Sequence, residues 1–145
     1  MNVLLILTLG FAPGLFLLWY FYNKSIYHPE PKRLIARTFI IGMLVTIPAA
    51  IAEAILLPGE LTELSNLALM TVAAFLVVGP IEESVKFLTV RLGPYKFFDE
   101  PVDGIVYAAT AALGFASVEN VGYMLTYGWQ VILLRAPLST VLAIA

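Results

Sequence analysis

Apolar residues do not alternate along this chain, as they would in a half-buried strand, nor do they form the narrow stripe of a surface helix. They come in long runs separated by short polar clusters. A helix of roughly 20 apolar residues crosses the hydrocarbon of a bilayer. On that measure the pattern predicts about five spans, at 2–22, 34–57, 66–92, 102–127 and 129–145. The expected fold is all-α, a polytopic bundle of transmembrane helices forming one domain over 1–145. The last run is still apolar at Ala145, so the last span reads as truncated and a further C-terminal part is expected. The opening run "MNVLLILTLGFAPGLFLLWYFY" lacks a basic n-region and a small-x-small cleavage site, so it reads as a retained span.

One run is interrupted. In "VVGPIEESVKF", Val77 to Phe87, two glutamates and a lysine follow an apolar segment. Each charge near the bilayer centre costs about 2.5–3.5 kcal/mol on an insertion scale, so the three need a reason. With about 100° per residue, Lys86, Thr89 and Gly79 fall within about 60° of Glu82, and Glu83 lies about 100° away. The polar residues thus share one stripe with Glu83 on its edge. Lys86 stands at i+4 from Glu82 and i+3 from Glu83 and can neutralise either. Gly79-Pro80 removes one backbone donor just ahead of the charges and permits a kink. One lysine cannot pair with two glutamates, which favours a functional site over an assembly device.

The fourth run, "PVDGIVYAATAALGFASVENVGYMLTYG", is rich in small and polar residues. Asp103, Tyr107, Thr110, Gly114 and Ser117 share one face, and Gly104, Ala108, Ala111, Ala112, Phe115 and Glu119 another. Only a strip of Ile105, Val106, Ala109 and Leu113 suits lipid. Such a helix belongs in the bundle centre, where small residues allow close approach. Glu119 beside Asn120 is a costly pair unless used or neutralised, and Arg135 in the fifth run is the expected partner.

Composition narrows the chemistry. The chain is 61% hydrophobic and 12% charged, against roughly 25% charged in a soluble domain. It is therefore read as a multi-pass protein of the cell membrane, with the lipid bilayer as its solvent. A net charge of −2 points away from nucleic acid. There is no cysteine and one histidine, His28, in a loop, so neither H-E-x-x-H nor a thiolate zinc site can form. No G-x-S-x-G is present, and no span carries a histidine to activate a serine. Both aspartates, Asp99 and Asp103, lie at one end of the fourth span, which excludes a mid-membrane aspartyl pair. What remains is carboxylate chemistry without metal or cofactor: a glutamate as general base on water, a neighbouring charge tuning it, and an amide donor for the oxyanion.

Two motifs now stand in order, "EESVK" (Glu82, Glu83, Lys86) and "FASVEN" (Phe115, Glu119, Asn120). They resemble the E-E-x-x-K and F-x-x-x-E-N motifs of the PrsW family of intramembrane glutamic endopeptidases. That family is related to the CAAX prenyl protease and bacteriocin-processing group. "DEPVDGIVYAATAALGFA" and the opening "APGLFLLWYFY" followed by "PEP" look like that family too, so the resemblance covers most of the chain. It implies proteolysis of membrane-anchored protein substrates, anti-sigma factors among them. Carried over, Glu82 and Glu83 would be catalytic, and Lys86, Glu119 and Asn120 would complete the site. Phe115, Asp103 and Arg135 would bind substrate or support it. The family's third motif places a histidine on a later helix after a stretch like "RAPLST"; here "RAPLST" leads into "VLAIA".

Two other readings of the same residues stay open at this point. Glu82, Glu83 and Glu119 could line an ion or proton path in a transporter, or the bundle could hold single-span partners without cutting them.

Loop charge sets orientation. "NKSIYHPEPKR" carries Lys24, Lys32 and Arg33, with Arg37 just beyond, and the third loop region holds Arg91 and Lys96. "PGELTEL" and "TYGWQ" have no basic residue, so loops one and three are expected in the cytoplasm and the N-terminus outside. A cysteine placed in "PGELTEL" is therefore expected to react with an impermeant thiol reagent on intact cells, and one in "YKFFDE" is not. The opposite labelling pattern would invert the orientation.

Overall fold

The structure, a computed structural model, describes residues 2–24, 30–57, 67–133 and 135. All regular elements among these residues are helical. The chain runs through α1 (Val3–Lys24), α2 (Lys32–Leu44), α3 (Thr46–Leu56), α4 (Leu67–Ala73), a π-helical turn (Ala74–Val78), α5 (Gly79–Leu92), a 3-10 turn (Pro94–Phe97) and α6 (Pro101–Tyr127). Among the described residues four spans are long and apolar enough to cross a membrane: Val3–Asn23, Lys32–Leu56, Ala68–Leu92 and Pro101–Tyr127. This is a membrane protein built as an all-α bundle. Of the expected fifth span only 129–133 and 135 are described, starting with a helical turn; the remainder lies outside the described residues, as do His28 and the "PGELTEL" loop.

Two of the spans are not continuous α-helices, and proline explains both. The run expected as one helix over 34–57 is broken at Val45 into α2 and α3. Pro48 cannot donate to the carbonyl four residues back, Leu44, and its ring crowds that carbonyl, so α2 ends there. In the third span Pro80 does the same to Leu76. The backbone responds by widening into a π turn over Ala74–Val78, in which the Gly79 amide donates five residues back to Ala74. The expected kink ahead of the charges is thus a π turn.

α6 is the central element. Every residue from Thr110 to Ser117 is buried, as expected for a helix surrounded by neighbours. Its contacts are made backbone to backbone. A Cβ on Gly42 of α2 would strike the Ala111 carbonyl, and one on Gly114 would strike the Phe39 carbonyl, so α2 and α6 cross where glycine alone fits. α1 runs antiparallel to α6, with Gly10 against Val121 and Gly14 against Ser117. Ile6, Met124 and Ile132 form a small apolar cluster at one end, flanked by Leu9 and Val121.

The lipid-facing strip expected on α6 holds only in part. Ile105 is exposed, Val106 and Ala109 are half-buried, and Leu113 is 0% exposed because α1 and α2 cover that side.

The other end of α6 is anchored by polar groups. Glu100 and Asp103 form a reciprocal capping box, and the Asp103 carboxylate accepts from the amides of Asp99 and Glu100 at 2.7 and 2.9 Å. One turn on, the Tyr107 hydroxyl donates to the Glu30 carboxylate, tying the segment before α2 to α6. Burial pushes the Glu30 carboxyl above its usual range, while the Tyr107 hydroxyl draws it back down.

The glycine crossing yields a stability prediction. Gly42→Leu and Gly114→Leu are each expected to cost about 1–3 kcal/mol or more through overpacking, read as a lower melting temperature in detergent. Gly122→Ala, whose added Cβ meets nothing within 4 Å, is expected to leave melting unchanged. Equal melting of all three would show that the crossing is not close.

Candidate functional site

The charged stripe of α5 folds as its spacing requires, but the expectation that one lysine cannot pair with two glutamates fails, because the ammonium reaches both carboxylates. Lys86 is buried, and its ammonium donates to Glu82 Oε2 at 3.2 Å and to Glu83 Oε1 at 2.8 Å. The two carboxylates differ in surroundings: the Glu82 side chain is 20% exposed and that of Glu83 is 72% exposed. Lys86 also lies over the Phe115 ring of α6, 4.9 Å from its centroid. This cation–π contact seats the ammonium against the central helix. One turn beyond Phe115 comes Glu119, and Arg135 Nη2 stands 3.5 Å from Glu119 Oε2, as the sequence leads one to expect. The Arg135 guanidinium lies 3.4 Å above the Tyr123 ring. Asn120, next to Glu119, is buried.

The two motifs therefore meet. Lys86 of the first lies over Phe115 of the second, one turn of α6 from Glu119, so α5 and α6 bring their ionisable groups to one place. Asp103 stands apart from it. It lies sixteen residues before Glu119 on a continuous helix, about 24 Å along the axis, and serves as the N3 group of the capping box.

A further carboxylate belongs to the cluster and is passed over in the sequence reading. Glu53 of α3 stands in the same cavity wall as Glu119 of α6. It lines a cavity of about 400 Å3 together with Phe115, Glu119, Tyr123 and Tyr127. The signal in the sequence is the lone acid in "IPAAIAEAILL". It stands near a span end, where an acid is ordinarily solvated, and so draws no notice. A separate cleft of about 710 Å3 runs between α5 and α6. Glu83 and Lys86 lie on its wall, as do Arg91, Tyr95 and Phe98.

Comparison with known proteins shows the family of this chain. The model of a family described as "PrsW family intramembrane metalloprotease" matches residues 30–142. The chain belongs to the PrsW family. It is 38% identical over 133 residues to a Protease PrsW of Geobacillus kaustophilus, covering 90% of this chain and 57% of that protein. It is 37% identical over 133 residues to a Protease PrsW of Bacillus subtilis, covering 90% and 59%. A Protease PrsW of Clostridioides difficile is 31% identical over 118 residues, covering 80% and 49%. The chain thus spans less than 60% of the length of these PrsW relatives. No solved structure matches it.

The family's description as metalloproteases raises the question of ligands. The chain has no cysteine, and its one histidine lies outside the described residues. Among the described residues no three His, Cys, Asp or Glu side chains converge on a point that could hold a metal ion. Two of the cluster's carboxylates, Glu82 and Glu119, already face cations of the chain itself. The described residues do not form a metal-ligand set.

The Glu119–Arg135 pair is open to direct test. The two side chains are 22% and 26% exposed, so the cost of breaking the pair falls below that of a fully buried one. Arg135→Ala is expected to destabilise the protein in detergent by about 1–3 kcal/mol, because it leaves a half-buried carboxylate unsatisfied. Adding Glu119→Gln in the same chain is expected to recover most of that loss. No recovery would mean that Arg135 acts through Tyr123 and not through Glu119.

Proposed function

We propose that this protein is an intramembrane glutamic protease that hydrolyses membrane-anchored protein substrates of the anti-sigma-factor kind. The observation that carries the reading is Lys86 held between two carboxylates within a span and seated against the helix that bears Glu119 and Asn120. Buried ionisable groups in excess of their counter-ions are costly in hydrocarbon and are kept where they do chemistry. Membership of the PrsW family, whose relatives carry the name protease, points the same way.

Peptide hydrolysis needs a base for water, a donor for the developing oxyanion and a proton for the leaving amine. Glu82 is the better placed base. Its carboxylate is shielded, and its partner Lys86 lies over Phe115, one turn from Glu119. Deprotonated by Glu82, the water attacks the scissile carbonyl, and the proton passes to the departing nitrogen. Lys86 supplies the fixed positive charge beside the base, and the Asn120 amide is the donor suited to the oxyanion. Glu83, more open to the cleft, is the second carboxylate that Lys86 holds in place.

Glutamine keeps the shape of glutamate but cannot take a proton from water. In the full-length protein, Glu82→Gln is expected to leave expression and melting near wild type. It is also expected to lower fragment release from a membrane-anchored substrate by about 10²–10⁴-fold, the usual contribution of a general base. Glu83→Gln is expected to reduce release less. If both variants melt early and keep full specific activity, the three charges serve assembly and the reading falls.

A further inference from the structure

We infer that Glu53 is the specificity-determining residue of the 400 Å3 cavity, and that it takes a cationic side chain, lysine or arginine, from the polypeptide bound there. In calling that polypeptide a substrate the inference rests on the protease reading. The cation preference itself rests on the cavity.

Among the described residues, the lining of the cavity includes two carboxylates, Glu53 and Glu119, and no basic side chain. One of the two already shows how this wall holds a cation. Glu119 faces the Arg135 guanidinium, which at the same time lies on the face of Tyr123. Carboxylate plus aromatic face is a well-matched receptor for a cation in a partly desolvated place. The other half of the wall repeats these parts without the cation. Glu53 makes no ion pair with any described residue. Tyr127, ring-stacked on Tyr123 with centroids 5.8 Å apart, completes the aromatic rim. The neighbours of Glu53 on its own helix, Thr46 and Ala50, bring no charge to the cavity.

Depth fits the same occupant. Glu53 lies three residues before the end of α3 at Leu56, about 4.5 Å of helix from the span end. Lysine and arginine flanking a transmembrane segment direct their charged heads to this level. On the orientation expected from the loop charges, this end lies outside the cell. A cavity of this volume holds one or two side chains and not a folded partner.

The test uses synthetic single-span peptides with a Leu/Ala core that differ in one residue at the outer flank, Lys, Gln or Glu. Binding to the protein is measured in nanodiscs of zwitterionic lipid. The Lys peptide is expected to bind about tenfold more tightly than the Gln peptide, as one charge-assisted contact allows, and the Glu peptide more weakly than either. Glu53→Gln is expected to erase the difference, Glu53→Asp to keep it, and Glu53→Lys to favour the Glu peptide. Equal binding of the Lys and Gln peptides to the wild type, or a Lys preference that survives Glu53→Gln, overturns the inference. Cleavage of the same peptides is scored separately by the full-length protein. Selective binding without cleavage would remove the protease reading and leave Glu53 its role. Cleavage indifferent to the flanking charge would do the reverse.

Discussion

Charge in hydrocarbon is the constraint on which the rest of this bundle depends. Lys86 is buried in a span between two carboxylates, and it can remain there only if the surrounding helices satisfy it. Its third support is the Phe115 ring, and Phe115 holds its position because α6 is enclosed on all sides. That enclosure is in turn produced by glycine: Gly42 and Gly114 let α2 meet α6 at backbone distance, and Gly10 and Gly14 do the same for α1. The small-residue helix and the charged helix are thus two parts of one solution. Close packing on one face of α6 frees its other face to receive the charges of α5.

Backbone irregularity is concentrated where those charges stand. The π turn over Ala74–Val78 ends at the residue before Gly79, three positions ahead of Glu82. The break at Val45 lies one residue before Thr46, a wall residue of the cavity that also holds Glu53. Both follow from a proline that withholds a donor and crowds a carbonyl. Inside a membrane the released carbonyl must find another partner or face a polar space. The two prolines therefore cost regular hydrogen bonding near the residues that bear the charges, and the π turn recovers part of it through the Gly79 amide.

Much of this was legible in the sequence. Spans follow from run length, the Lys86 bridge from i+3 and i+4 spacing, and the Glu119–Arg135 pair from two unmatched charges at a similar depth. Three features were not. Leu113 was assigned to lipid by angular position, but helical angle says nothing of how many neighbours a helix has, and α6 has them around its whole circumference near its middle. Asp103 shared a face with Tyr107 and Ser117 and so looked like part of a site; its neighbours Asp99 and Glu100 show it to be a cap. Glu53 escaped because its importance lies in what it faces across the cavity, a relation between α3 and α6 that no local pattern encodes.

Two spaces adjoin α6 near the charged residues, and this bears on how water and polypeptide could share the site. One is the cavity of Glu53 and Glu119, with its aromatic rim toward the end of α6. The other is the larger cleft, which passes from Glu83 and Lys86 to Arg91 and Tyr95 near the opposite end of α5. Hydrolysis inside a bilayer needs water at a place from which lipid excludes it, and a polypeptide at the same place. Under the protease reading, the polar groups spaced along the cleft give water a route of hydrogen-bonding partners that an apolar groove would lack. The smaller cavity then serves the polypeptide. Glu83 faces the cleft and is the more exposed of the two carboxylates, while the same ammonium holds both.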